Sequence, residues 1–232
     1  MCIRDSTKQM RLLRADLERD LQELAPSAPG GSREDERISI AINADSIATW
    51  AMGALHDLVR QRLPLEIIVD DQDFTQEWLR SGQVLGCVTT LKQALRGCKM
   101  VPLGAMPYVA VASASYAQQY LPQGLTPHNF RDVSFLSFNR KDDMAAEFVA
   151  RAFGLKRVAL NHLFVPGSEA QMRAVAAGWA VGVMPELMAR QALADGSMVD
   201  LAPGRSLPIQ LYWHCWNPVS YTHLRAHETP EH

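Results

Sequence analysis

The stretch that most constrains the fold is ISIAINADSIATW, Ile38–Trp50. Ile38, Ile40 and Ile42 alternate with Ser39 and Ala41, the period of two that a half-buried strand requires. Asn43, Asp45 and Ser46 then offer helix-capping side chains, and Ile47, Trp50, Ala51 and Ala54 continue at helical spacing. A strand feeding directly into a helix leaves unpaired backbone N–H groups where an anion can bind. Taken alone, the junction reads first as an ordinary capped helix. It gains weight because similar junctions recur downstream.

After Ile38–Ile42 and helix Ser46–Arg62, strand Leu65–Val69 leads through Asp70-Asp71-Gln72-Asp73 to helix Phe74–Arg80, with Asp73 and Gln76 as a capping box. Strand Val84–Val88 ends in Thr89-Thr90, and Met100–Leu103 and Tyr108–Ala112 read as two further strands. Strand Val133–Phe138 precedes helix Asp143–Phe153, and strand Val158–Val165 meets Pro166-Gly167-Ser168 before helix Glu169–Ala177. Strand Ala180–Met184, helix Pro185–Ala194 and strands near Met198–Leu201 and Ile209–His214 follow. This alternation predicts an α/β protein with two parallel-rich sheets.

Ligands of open α/β sheets lie beyond the carboxyl ends of the strands. Those ends carry Asn43, Asp45 and Ser46; Asp70 and Asp71; Thr89 and Thr90; Ser137, Phe138 and Asn139; and Gly167 and Ser168. Each residue also makes sense as a cap or turn. As a set, they suit a polar, zwitterionic small molecule: hydroxyls and backbone N–H groups take a carboxylate, and acids take an ammonium.

Other chemistries lack their patterns. The run after Val69 has Phe74 and Arg80 where a calcium loop needs Gly and Glu, so no metal is expected. There is no G-x-S-x-G, H-E-x-x-H, G-x-G-x-x-G or P-loop, and His56, His162 and His214 have no partner at readable spacing. Neither catalysis nor a cofactor is expected. A net charge of −2 argues against nonspecific nucleic-acid binding by the chain as a whole. No apolar run reaches about 18 residues and no leader is readable, so a cytoplasmic location away from membranes is the expectation.

Toward the start, Met10, Leu13, Leu17, Leu21 and Leu24 step by three and four, predicting a helix over Thr7–Leu24 with a narrow apolar stripe. Such a helix packs on its own domain or against a partner helix. Ala25–Glu36, rich in Pro, Gly, Ser and charge, reads as a linker. The two ends look foreign to the fold. Met1–Ser6 can be written ATG TGT ATA AGA GAC AG, whose reverse complement encodes Val-Ser-Tyr-Thr-His, the residues at Val219–His223. Met1–Ser6 and Val219–His232 are therefore expected to be adapter-derived and are left out of fold reasoning.

The chain resembles a LysR-type transcriptional regulator, in the ArgP (IciA) and LysG branch that senses basic amino acids. The resemblance is carried by KQMRLLRADLERDL at Lys8–Leu21, INADSIATW at Ile42–Trp50 and IVDDQDFTQEWLRSGQVLGCVTT at Ile68–Thr90. It continues through GCKMVPLGAMPYVAVAS at Gly97–Ser113, FNRKDD at Phe138–Asp143, VPGSEAQMRAVAAGWAVGVMP at Val165–Pro185 and LYWHCW at Leu211–Trp216.

That resemblance implies a two-subdomain effector domain like a type 2 periplasmic binding protein, preceded by a linker helix over 7–24 that pairs subunits. Subdomain I would hold 37–107 and 207–218, and subdomain II 108–206. A lysine or arginine effector would lie between them, contacting Asn43, Asp45, Ser46, Asp70, Asp71, Thr89 and Thr90 on one side. Ser137, Phe138, Gly167 and Ser168 would face it from the other. The whole regulator would be a homodimer or tetramer, controlling an amino-acid exporter gene and meeting promoter DNA only through an N-terminal headpiece this sequence lacks. A solute-binding protein of an amino-acid transport system would share the fold and is the alternative.

Overall fold

The computed structural model describes residues 37–70 and 75–216. The expected helix over Thr7–Leu24, the linker Ala25–Glu36, Asp71, Asp73 and the Val219–His232 tail lie outside these residues. The elements, in chain order, are β1 (Ile38–Asn43), α1 (Ala44–Ser46), a π-helical turn (Ile47–Ala51), α2 (Met52–Arg60), β2 (Leu65–Asp70), α3 (Thr75–Arg80), β3 (Gly86–Thr89) and β4 (Cys98–Ser113). Then come α4 (Ala114–Tyr120), β5 (Ser134–Ser137), α5 (Met144–Phe153), β6 (Asn161–Phe164), α6 (Ser168–Ala176), β7 (Gly182–Pro185), α7 (Glu186–Ala194), β8 (Met198–Asp200) and β9 (Leu207–Trp216).

Seven strands form one mixed sheet in the order β2-β1-β3-β9-β4-β7, with β8 also on β4, while β5 and β6 make a separate parallel pair. This differs from the expected pair of parallel-rich sheets. Only β1–β2, β1–β3 and β5–β6 are parallel; β3–β9, β4–β9, β4–β7 and β4–β8 are antiparallel. Alternation along a segment marks it as a strand but is silent about its distant partner.

The two strands expected at Met100–Leu103 and Tyr108–Ala112 are also one, the sixteen-residue β4. Gly104 and Pro107 lie in the gap between the two expected strands, yet the chain stays extended there by shifting register between Pro102 and Gly104. Gly104 takes φ 109° there, a conformation open to glycine. The first half of β4 lies along β9, and its second half pairs with β7 and β8. The mixed sheet thus runs through both halves of an α/β, two-subdomain architecture.

The core follows the sheet. Trp213 on β9 is fully buried with Ile38, Ile40, Ile42, Leu55, Leu58, Tyr108, Phe130, Phe135 and Phe148. Gly86 on β3 leaves room for that indole, because a Cβ there would overlap the Trp213 ring. Cys87 lies in a smaller cluster with Ala41, Leu79 and Val84, and burial pushes its thiol up to about 12, with Cys98 and Cys215 adding to the shift. It behaves as a small apolar residue. Among the described residues, no helix is long and apolar enough to cross a membrane.

Candidate functional site

β2, β1 and β3 run parallel, so their carboxyl ends share one edge of the sheet. Asp70 is the register partner of Asn43, and Thr89 ends β3 beside them. At this edge the chain turns into a helical run, 44–60, that contains a π-turn. Such turns widen a helix locally and are common near functional sites. Asn43 and Ser46 are buried, 2% and 0% exposed, and Asn43 Oδ1 and Ser46 Oγ have no hydrogen-bond partner among the described residues. Unpaired buried polar atoms cost about 1–3 kcal/mol each and call for a reason.

Asp45 lies between them. Burial holds its carboxyl above the ordinary carboxylate range, hydrogen bonds from the Ser168 and Tyr108 hydroxyls oppose that rise, and nearby Asp142 adds to it. The Tyr108 hydroxyl donates to Asp45 Oδ2 at 2.5 Å across 63 positions of sequence. Tyr108 is near the middle of β4, and Ser168 opens α6. One carboxylate therefore joins the β1–α1 junction to the elements opposite.

The facing wall is built from β5, β6 and α6. Ser137 ends β5, is fully buried, and its Oγ is 2.9 Å from His162 Nδ1 on β6. Gly167 takes φ 92°, which lets the chain turn from β6 into α6, and Gln171 Nε2 donates to the Val165 carbonyl to fix that turn. The FNRKDD loop is held by Asp142, which accepts from the Phe138 N–H at 2.7 Å and the Met144 N–H at 3.0 Å.

Beside this cluster of strand ends, a cavity of about 840 Å³ is lined by Asp70, Glu77, Trp78, Ser81, Gln83, Asn139, Arg140 and Lys141. Trp78 Nε1 donates to Asp70 Oδ2 at 2.9 Å, fixing both carboxylate and indole. Acids and an aromatic face line one side, and two cations line the other. This charge division suits a ligand carrying both signs. Among the described residues no group of three or more His, Cys, Asp or Glu comes together that could hold a metal ion.

Of the sequence candidates, Asn43, Asp45, Ser46, Asp70 and Thr89 gather at one edge, with Ser137, Phe138, Gly167 and Ser168 in the facing elements. Thr90 follows β3, half-buried, and Asp71 lies outside the described residues. Gln76 accepts from Thr89 Oγ1 at 3.1 Å, and the capping box expected with Asp73 falls on a residue outside those described. Sequence reasoning missed Glu77, Trp78, Tyr108, Arg140, Lys141 and His162. Trp78 and Glu77 read as ordinary helix positions and Tyr108 as a strand residue. The Ser137–His162 pair spans 25 positions, beyond any local motif.

A sequence model of the LysR substrate binding domain matches residues 31–228. The chain belongs to the LysR family. ArgP of Aeromonas salmonicida, an HTH-type transcriptional regulator, is 38% identical over 210 residues, covering 90% of this chain and 68% of its own length. LysG of Mycobacterium bovis, likewise HTH-type, is 37% identical over 92% of this chain and 70% of its own. Among solved structures, ArgP of Mycobacterium tuberculosis superposes with a TM-score of 0.74 at 34% identity, covering 93% of this LysR chain and 71% of that one. Full-length LysG of Corynebacterium glutamicum with bound effector Arg superposes with a TM-score of 0.70 at 26% identity, covering 95% and 73%.

Proposed function

We propose that this LysR-family chain is an effector domain that binds a basic amino acid, lysine or arginine, between its two walls and carries out no chemistry on it. The observation that carries the reading is the pair of buried, unpartnered atoms Asn43 Oδ1 and Ser46 Oγ beside Asp45 and Asp70. A cation with several N–H donors satisfies acceptors of this kind. The solved structure of LysG with bound effector Arg supports the choice of ligand.

In this reading, subdomain I is 37–107 with 207–218, and subdomain II is 108–206. The effector touches Asn43, Asp45, Ser46, Asp70, Asp71, Thr89 and Thr90 from the first and Ser137, Phe138, Gly167 and Ser168 from the second. It favours one closure state by its differential affinity for the two. That shift passes to a partner subunit through helices such as those over 46–62 and 169–177, and to promoter DNA through the N-terminal headpiece of the full-length regulator. The regulated gene is an amino-acid exporter, and the protein works in the cytoplasm.

The test is thermal unfolding with millimolar lysine, arginine, ornithine and neutral amino acids. A ligand that binds only the folded chain, at 100 times its dissociation constant, adds about 2.7 kcal/mol. Stabilisation confined to the basic amino acids is the expected result. Equal shifts with neutral amino acids, or none from a sample that unfolds cooperatively, overturn the assignment.

A further inference from the structure

The two walls of the site differ in charge. Asp70 and Glu77 line the cavity on one side, while Arg140 and Lys141 line it on the other. A zwitterion held between them turns its cationic side chain to the first wall and its carboxylate to the second. Ser137 is the buried hydroxyl at the end of β5 on that second wall. A serine hydroxyl has one proton to give. If His162 took that proton, Ser137 would present only lone pairs to the effector, and a carboxylate would be repelled. If His162 Nδ1 carries the proton and donates to Ser137 Oγ, the hydroxyl proton is left for the carboxylate.

The imidazole is held for this task. Its ring stacks on Phe164 with centroids 5.7 Å apart and planes within 7°, and the Arg140 guanidinium lies over the same Phe164 ring at 5.7 Å. Arg140 also lines the cavity, so cation, phenyl, imidazole and serine form one connected row along the second wall.

We propose that His162 is a positioning residue for effector recognition: it donates from Nδ1 to Ser137, which fixes the Ser137 hydroxyl as the donor that reads the effector's α-carboxylate. The inference rests on the basic-amino-acid reading above and adds the orientation of the ligand.

Calorimetric titration with arginine and with agmatine, which keeps the guanidinium but lacks the carboxylate, tests it. His162→Phe, similar in shape, should weaken arginine about tenfold, the usual effect of losing one hydrogen bond, and leave agmatine unchanged. Ser137→Ala should do the same, the double variant should lose no more than either single one, and His162→Asn should restore most of the arginine affinity through its side-chain amide. Equal losses for both ligands, no loss for arginine, or additive losses in the double variant overturn the role of His162. If His162→Phe fails to unfold cooperatively, Ser137→Ala alone decides: an arginine-selective loss supports the proposal, and any other result overturns it. Wild-type chain that binds neither compound removes the basic-amino-acid reading, and this inference with it. Wild-type chain that binds arginine no better than agmatine removes only the assigned carboxylate contact.

Discussion

At Asp45, burial holds the carboxyl above its ordinary range, and the hydroxyls of Ser168 and Tyr108 offset only part of that cost. A carboxylate raised in the folded state contributes stability that is full below its unfolded value of 3.8. That contribution is lost as pH rises through the raised folded value. Wherever the group is ionised, it is thus a burden on the ligand-free chain. Asp45→Asn keeps an oxygen for both hydroxyls and removes the charge. It should raise the melting temperature at pH 7 by about 1 kcal/mol equivalent, roughly 2–4 °C in a chain of this size. The difference from wild type should shrink as pH falls toward 4, measured by calorimetry across that range. Arginine should no longer stabilise the variant. A variant less stable than wild type at pH 7 would mean that the hydroxyl contacts outweigh burial.

At the scale of elements, β3 and β9 meet where Gly86 faces Trp213. Gly86→Ala drives a methyl into a fully buried indole that has no room to move, and should cost about 2–3 kcal/mol, roughly 4–12 °C. Gly53→Ala is the matching control. Gly53 sits in α2 with nothing within 4 Å of its would-be Cβ, so the same added methyl should stabilise by about 0.5–1 kcal/mol through helix propensity. Thermal melts of the two variants should move in opposite directions. The same elements show what was legible beforehand. The strand–helix junction at Asn43 was readable because its signals are adjacent: three alternating isoleucines, then three capping residues. β4 was split in two because Gly104 and Pro107 interrupt the pattern locally, and they are overruled by pairing with β9 more than a hundred positions on. For the site, the strand-end residues were visible through their position alone. Tyr108, His162 and Arg140 were not, since each meets a partner that only the fold brings near.

Over the whole molecule, β4 runs continuously from its pairing with β9 into its pairing with β7 and β8, and the Asp45–Ser168 hydrogen bond ties one wall of the site to the other. With Asp45 and Ser168 joined, Asn43 and Ser46 are buried, so an effector reaches them only when the walls part. The tie therefore sets the balance between open and closed forms before any ligand arrives. A hydrogen bond to a charged acceptor is worth about 1.5–3 kcal/mol, so removing it should shift that balance at least tenfold toward the open form. Ser168→Ala makes this change without altering charge or, at the first position of α6, helix propensity in any large way. Small-angle scattering of the ligand-free variant should show a larger radius of gyration than wild type, and saturating arginine should bring the two together. Identical ligand-free profiles would show that packing along β4 and β9, rather than the Asp45–Ser168 tie, holds the walls closed.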